Sequence, residues 1–294
     1  MERSGTVERK PKFGNISDFR NYLAIKARTI PWWLVGIIFI AIGTVIVIAT
    51  EENYRNAFSF IKAGIGVTIS TTIIAYVIAL VLGLITGLGR ISNNTFFRNL
   101  ATLYIEIIRG IPMLVLIFFI AFVGVPIVVD GIKALGTWFT EMGLTGLGNS
   151  FSKLENNAVS MNLRAIIALS VTYGAFLAEI FRAGIQSIGR GQMEAARSQG
   201  MSYWQAMRYI ILPQAIRNVL PALGNDFISM LKDSSLVSVL AIRDITQIAR
   251  LYAGRSFQFR ESYLTLAVLY LTMTVFLSFV MKIIERRIQK NEQR

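Results

Sequence analysis

Six apolar stretches of membrane-spanning length divide this chain. Four carry no charged residue, Trp32 to Thr50, Ala63 to Gly89, Gly110 to Val129 and Ser262 to Met281. Two more, Arg164 to Ser187 and Val219 to Ile242, are interrupted by ionisable groups. The pattern predicts an all-α integral membrane protein with about six transmembrane helices and one membrane domain. Residues 1–31 form a basic segment with no small-residue cleavage site after an apolar core. Residues 32–50 then read as a retained anchor helix, with Lys26, Arg28, Trp32 and Trp33 at the inner interface. The rest of the membrane domain runs over 58–288, followed by a tail at 289–294. Gly83, Gly87 and Gly89 close the second stretch at spacings that let helices approach each other. Residues 125–162 hold Gly131, Gly136, Gly143, Gly146 and Gly148, with a brief apolar patch near Trp138. That segment reads as too broken to span and is expected on the outer face as an interfacial hairpin.

Composition narrows the chemistry. The 294 residues are 54% hydrophobic and 16% charged, with mean hydropathy +0.55, outside the range of a soluble domain. Cysteine and histidine are both absent from the sequence. A disulfide framework, a zinc site, a thiol nucleophile and a histidine base are thereby excluded, and no metal-ligating set is present. The net charge of +13 would suit nucleic acid, but its placement speaks for topology. Arg3, Arg9, Lys10, Lys12, Arg90, Arg98, Arg190, Arg197, Arg208, Arg217, Lys282 and Arg287 fall on one side of the six stretches. The other side holds about half as many basic residues, so both termini and residues 188–213 are expected in the cytoplasm. Nucleic acid is not an expected partner.

The polar loop at 188–213 carries the most information. Gln192 to Ser198 are helix formers with a small face at Ala195 and Ala196. Gly200 suits the left-handed position that ends a helix. Ser202 with Gln205 forms a capping box that starts another. Ile210, Ile211 and Leu212 turn apolar, and Pro213 is expected to stop or kink the element. This is a helix-turn-helix; on spacing alone it reads equally as an ordinary amphipathic connector.

The order Glu194-Ala195-Ala196, three residues, Gly200, nine residues, Ile210, one residue, Leu212-Pro213 resembles the cytoplasmic coupling loop of permease subunits in bacterial ABC importers. Three further blocks are similar to the polar amino-acid importers of the histidine/glutamine type. They are Tyr104 to Val115 with Glu106, Arg109 and Pro112, Ala178 to Ile188 with Glu179 and Arg182, and Leu223 to Val239 with Asn225. The resemblance covers roughly Gly64 to Ile288. The anchor at Trp32 and residues 125–162 depart from it. It implies a type I importer core and a second permease subunit, either the same chain or a paralogue. It further implies two ABC ATPase subunits, an extracytoplasmic substrate-binding protein, a lipid bilayer and an amino-acid substrate. Glu194, Ala195, Ala196, Gly200, Ser202, Arg208, Leu212 and Pro213 would form the ATPase-docking loop. ATP and Mg would sit in the partner, since this chain has no phosphate-binding glycine loop and binds no cofactor of its own. The function implied is ATP-driven import of polar L-amino acids by alternating access, with no enzymatic step in this chain.

Within the stretches, Glu106 and Arg109 lie three apart and are expected to pair as a structural or gating contact. Glu179 repeats that spacing with Arg182, and it is a pathway candidate that could meet a substrate ammonium group. Asn225, Ser229, Ser234 and Ser235 are the other pathway candidates, on a helix that Pro221 and Gly224 are expected to distort. A secondary transporter using Glu179 as an ion-coupling carboxylate is the alternative, but it leaves the 188–213 loop unexplained.

Overall fold

The computed structural model describes residues 32–290. Residues 1–31 with Lys26 and Arg28, the side chains of Trp32 and Trp33, and residues 291–294 lie outside that description. Helix α1, Trp32–Thr50, stands as a unit by itself. Its two threonines satisfy their hydroxyls within the helix, Thr44 donating to the Ile40 carbonyl and Thr50 to the Ile46 carbonyl, each at 2.8 Å. Neither hydroxyl is left looking for water.

From Glu51 on, the described residues form a second unit built from helices α2 (Glu52–Ile61), α3 (Ile65–Arg90), α4 (Thr95–Gly110), α5 (Met113–Phe119) and α6 (Val125–Glu141). They continue with α7 (Thr145–Ser152), α8 (Met161–Gln186), α9 (Arg190–Ser198), α10 (Tyr203–Ala206), α11 (Leu212–Asp233), α12 (Ile245–Ser256) and α13 (Phe259–Lys290). Glu52–Arg90, Met113–Glu141, Met161–Gln186 and Phe259–Glu285 are long and apolar enough to cross a membrane.

Helix α8 is the centre. Ala165, Ala168, Leu169, Ala175, Leu177 and Ala178 are fully enclosed, a run of mostly small residues that lets neighbours come close. α3 lies along it in the same direction. A β-carbon on Gly83 would fall 2.7 Å from that of Leu177, and one on Gly87 would fall 2.9 Å from the Ala178 carbonyl oxygen. Gly83 and Gly87, read from sequence as packing residues, are where the two helices touch, while Gly89 faces Ala101 on α4 instead. Thr71 donates to Asn162 at 2.9 Å, and Ser170 donates to the Ala75 carbonyl at 3.1 Å, fixing the register. α4 is pinned by the Tyr104 hydroxyl on the Val171 carbonyl. α11 closes on Gly184, where a β-carbon would collide with Val219.

Three stretches differ from their sequence reading. The third span does not end at Val129. It passes through a wide π-turn at Ile120–Gly124 and continues without a break to Glu141. Gly143, at φ +85, then reverses the chain so that α7 folds back on α6. Gly136 and Gly148, which suggested a broken segment, are the contact points of this hairpin. Arg164 fastens its base, donating to the carbonyls of Val159 at 3.0 Å, Ala121 at 2.6 Å and Asn156 at 2.6 Å. Next, Pro213 neither stops nor sharply ends its element. It follows the π-turn at Met207–Ile211, which carries the chain from α10 into α11 without a break, and the helix runs on through Pro221 to Asp233. Residues 234–240 then tighten to a 3-10 turn, so the fifth stretch does not reach Ile242 as one helix. Last, the charged residues after Ile242 form α12, which the apolar pattern did not announce. It is bracketed by Ala241 and Phe257, both in the left-handed region at φ 58, and Asp244 caps it by accepting from the Gln247 N–H at 2.8 Å.

Candidate coupling end and translocation face

At the end of the bundle reached by α8, helix α9 closes with two reverse bonds. Met201 N–H donates to the Ala196 carbonyl at 3.2 Å and Gly200 N–H to the Arg197 carbonyl at 3.0 Å. This 6→1 and 5→2 pair needs a left-handed residue between, and Gly200 supplies it at φ +83. Ser202 N–H donates to the Gln205 side chain at 2.8 Å, and Gln205 N–H returns to the Ser202 hydroxyl at 3.2 Å. Two short helices are therefore locked at a fixed angle by backbone chemistry. Their outer surface presents Glu194, Ala195, Ser202 and Arg208. Ala196 is buried, so the two alanines do not share a free face. Met207, Ile211 and Ala215 pack on Ile185, which ties the unit to the end of α8 through a π-turn at Met207–Ile211. Leu212 is half-buried and Pro213 exposed on the far side of that turn. Gly200→Leu should cost about 1–2 kcal/mol at this turn and tilt α10 away. Co-purification and stimulated ATP hydrolysis of a partner ATPase should both fall; wild-type levels of the two would show that the turn geometry is dispensable.

Just above, four charged side chains tie three helices. Arg90 at the end of α3 bonds Glu179 on α8 and reaches Glu106 on α4 at 3.2 Å. Arg182 holds the other oxygen of Glu179 at 2.8 Å and donates to Gln186 at 2.7 Å. The expected Glu106–Arg109 pair is not formed. Arg109 lies instead over the Phe176 ring, 5.8 Å from its centroid. One helix brings both residues to the same face, but a neighbouring helix brings Glu106 a better-placed guanidinium. Both oxygens of Glu179 are engaged by arginines, so its cost in the membrane is met inside the chain.

A second surface lies on α11. Asn218, Ala222, Asn225, Ser229 and Lys232 are exposed at alternating steps of four and three, one face of the helix. Val219, Leu223 and Met230 are buried on the other. Two tyrosine hydroxyls set the depth. Tyr173, the thirteenth residue of the 26 in α8, donates to Asp233 at 2.7 Å. Tyr76, the twelfth of the 26 in α3, donates to the Leu223 carbonyl at 2.5 Å. The stretch Leu223 to Asp233 is thereby held at mid-span. A lysine at that depth costs about 2.5–3.5 kcal/mol against acyl chains, so the polar stripe faces water or protein. The stripe includes Asn225 and Ser229 of the sequence candidates. Ser234 is buried with its hydroxyl on the Leu231 carbonyl at 2.7 Å, and Ser235 is half-buried in the 3-10 turn. Asn218 and Lys232 were not among the pathway candidates, although their helical spacing with Ser229 and Asn225 is readable in the sequence. Among the described residues no cluster of acidic side chains is arranged for a metal ion.

Residues 79–290 match the family described as "Binding-protein-dependent transport system inner membrane component". The chain belongs to this family. It is 38% identical over 195 residues to the probable glutamine ABC transporter permease protein GlnM of Bacillus subtilis, covering 65% of this chain and 76% of that one. It is 32% identical over 231 residues to the probable amino-acid ABC transporter permease protein YckA of the same organism, covering 79% and 90%. Among solved structures, the crystal structure of an amino acid ABC transporter with histidines superposes with TM-score 0.63 at 34% identity, over 81% of this chain and 97% of that one. The fold is that of an ABC importer permease, and the chain is a multi-pass membrane component of a binding-protein-dependent transport system.

Proposed function

We propose that this chain is the transmembrane permease subunit of an ATP-driven importer of polar L-amino acids. The observation that carries the proposal is the α9–α10 unit, a backbone-locked lever fixed to the end of a helix that runs through the core. The names of the relatives and of the matched structure support the substrate class. Two ABC ATPases would dock on Glu194, Ala195, Gly200, Ser202 and Arg208 at the cytoplasmic end, with ATP and Mg held by them. A second permease, the same chain or a paralogue, would complete the pathway, and an extracytoplasmic binding protein would deliver substrate at the end bearing α7. The excess of basic residues supports a cytoplasmic location for both termini. Closure of the ATPases would move α9 and α10 as levers. Ile185 and Ala215 pass that motion to α8 and α11, which alternate the access of the polar stripe between the two sides.

Reconstitution of the chain with its binding protein, with and without the ATPase, tests this reading. Amino-acid uptake should appear only with the ATPase and ATP. Concentrative uptake driven by an ion gradient without the ATPase would overturn it.

A further inference from the structure

We infer that the cleft between the end of α3, the start of α4 and helix α10 holds one anionic phospholipid. It belongs to the leaflet at the coupling end, which is the inner leaflet in the orientation proposed above, and the inference rests on that reading. The cleft has a volume of about 580 Å³, and its two ends differ in chemistry. Ile85, Leu88, Phe97 and Met207 make an apolar wall, while Ser92, Asn93 and Asn94 make a polar rim. The wall continues into two exposed apolar stripes, Val77, Val81 and Ile85 on α3 and Phe96, Leu100 and Leu103 on α4. These stripes suit acyl chains, and α3 stops at Arg90, so the rim lies where hydrocarbon gives way to headgroups. Tyr203 and Trp204 flank the cleft, the indole 71% exposed, as amphipathic rings do at that boundary. The molecule that is apolar at one end and polar at the other at this depth is a lipid.

The rim selects the headgroup. Ser92 accepts from the Asn94 N–H at 3.1 Å, which leaves its own hydroxyl proton to give. Asn94 accepts from the Phe96 N–H at 2.9 Å through its side-chain oxygen, which leaves its amide NH2 to give. Arg98 lies four positions after Asn94, on the same side of α4. It is exposed and makes no ion pair among the described residues. No carboxylate lines the cleft. Spare donors beside an uncompensated guanidinium suit a phosphate, and the guanidinium repels the amine that a zwitterionic headgroup brings with it.

Trp204 can report on its own site, because the chain has only 4 tryptophans. Trp32→Phe, Trp33→Phe and Trp138→Phe leave it as the single indole. The full chain with these changes is placed in phosphatidylcholine nanodiscs. A minor fraction of the lipid is phosphatidylglycerol, or phosphatidylcholine, brominated near the carbonyl end of its acyl chains. Brominated phosphatidylglycerol should quench Trp204 about fivefold more than brominated phosphatidylcholine, the preference that one arginine gives near a membrane surface. Arg98→Gln should bring the two to equality, and Arg98→Lys should keep most of the difference. No ATPase or amino acid is present, so the result is separate from the transport reading, which fails instead if the unmutated complex does not import with ATP. The inference falls if the two lipids quench alike while Arg98 is in place, as they would around any membrane protein. It also falls if neither quenches, as with protein seated in the cleft, or if Arg98→Gln leaves the preference intact.

Discussion

Arg164→Met is expected to lower the stability of the folded permease by about 3 kcal/mol and to unfasten the α6–α7 hairpin. Arg164 is 6% exposed, and its guanidinium serves the carbonyls of Val159, Ala121 and Asn156. Ala121 lies inside the π-turn, where the wide backbone turns that carbonyl toward α8. Methionine fills similar space but offers no donor. Each carbonyl left unmet in a buried site costs about 1–3 kcal/mol, and part of that sum is offset because a buried charge is also removed. Thermal unfolding in detergent should show a midpoint lower by roughly 6–12 °C, on the scaling for chains of this size. Lysine should rescue partly, since one ammonium reaches fewer carbonyls than a guanidinium fork. A midpoint unchanged by the methionine would mean that water replaces Arg164 at all three carbonyls.

Glu179→Gln is expected to cost about 2–3 kcal/mol and to depress uptake, whereas Glu106→Gln should cost less than about 1 kcal/mol. The two carboxylates share Arg90, but Glu179 is 18% exposed and Glu106 is 66% exposed. The first glutamine leaves Arg90 and Arg182 close together with their common counter-ion gone. The second removes a partner that water replaces easily. Denaturation of the two variants side by side is the measurement. Equal losses would mean that burial does not rank these pairs, and wild-type behaviour of Glu179→Gln would remove the network from any part in holding α3, α4 and α8 together.

Local chemistry was legible in the sequence to the residue. Gly200, Ser202 and Gln205 act within a few positions of each other, and a cap is decided by its neighbours along the chain. Gly83 and Gly87 were readable for a related reason, because a missing side chain limits what can happen there whatever the partner. Long-range choices were not legible. Spacing showed that Glu106 could meet Arg109, but it could not show that α3 would bring Arg90 closer. Glycines at 131–148 argued for a broken segment because glycine weakens an isolated helix. In the hairpin, close contact at Gly136 and Gly148 recovers that loss. α12 was hidden because its buried face is set by α2 and α13, with Ile245 and Ala249 meeting Ala57 and Ile61. The polar stripe on α11 needed a structure for another reason. Which polar residues are exposed depends on where α3 and α8 cover the helix.

The stripe bears on how the protein is made. A newly inserted copy whose partner has not arrived would turn Asn225, Ser229 and Lys232 toward acyl chains. Such an orphan is strained by its own amide, hydroxyl and ammonium groups, and membrane proteases act on chains that open easily. In the proposed assembly a second permease would remove that strain by giving those groups water. Surplus copies would then be cleared before they accumulate, and the number of permeases in the membrane would follow the number of complete complexes.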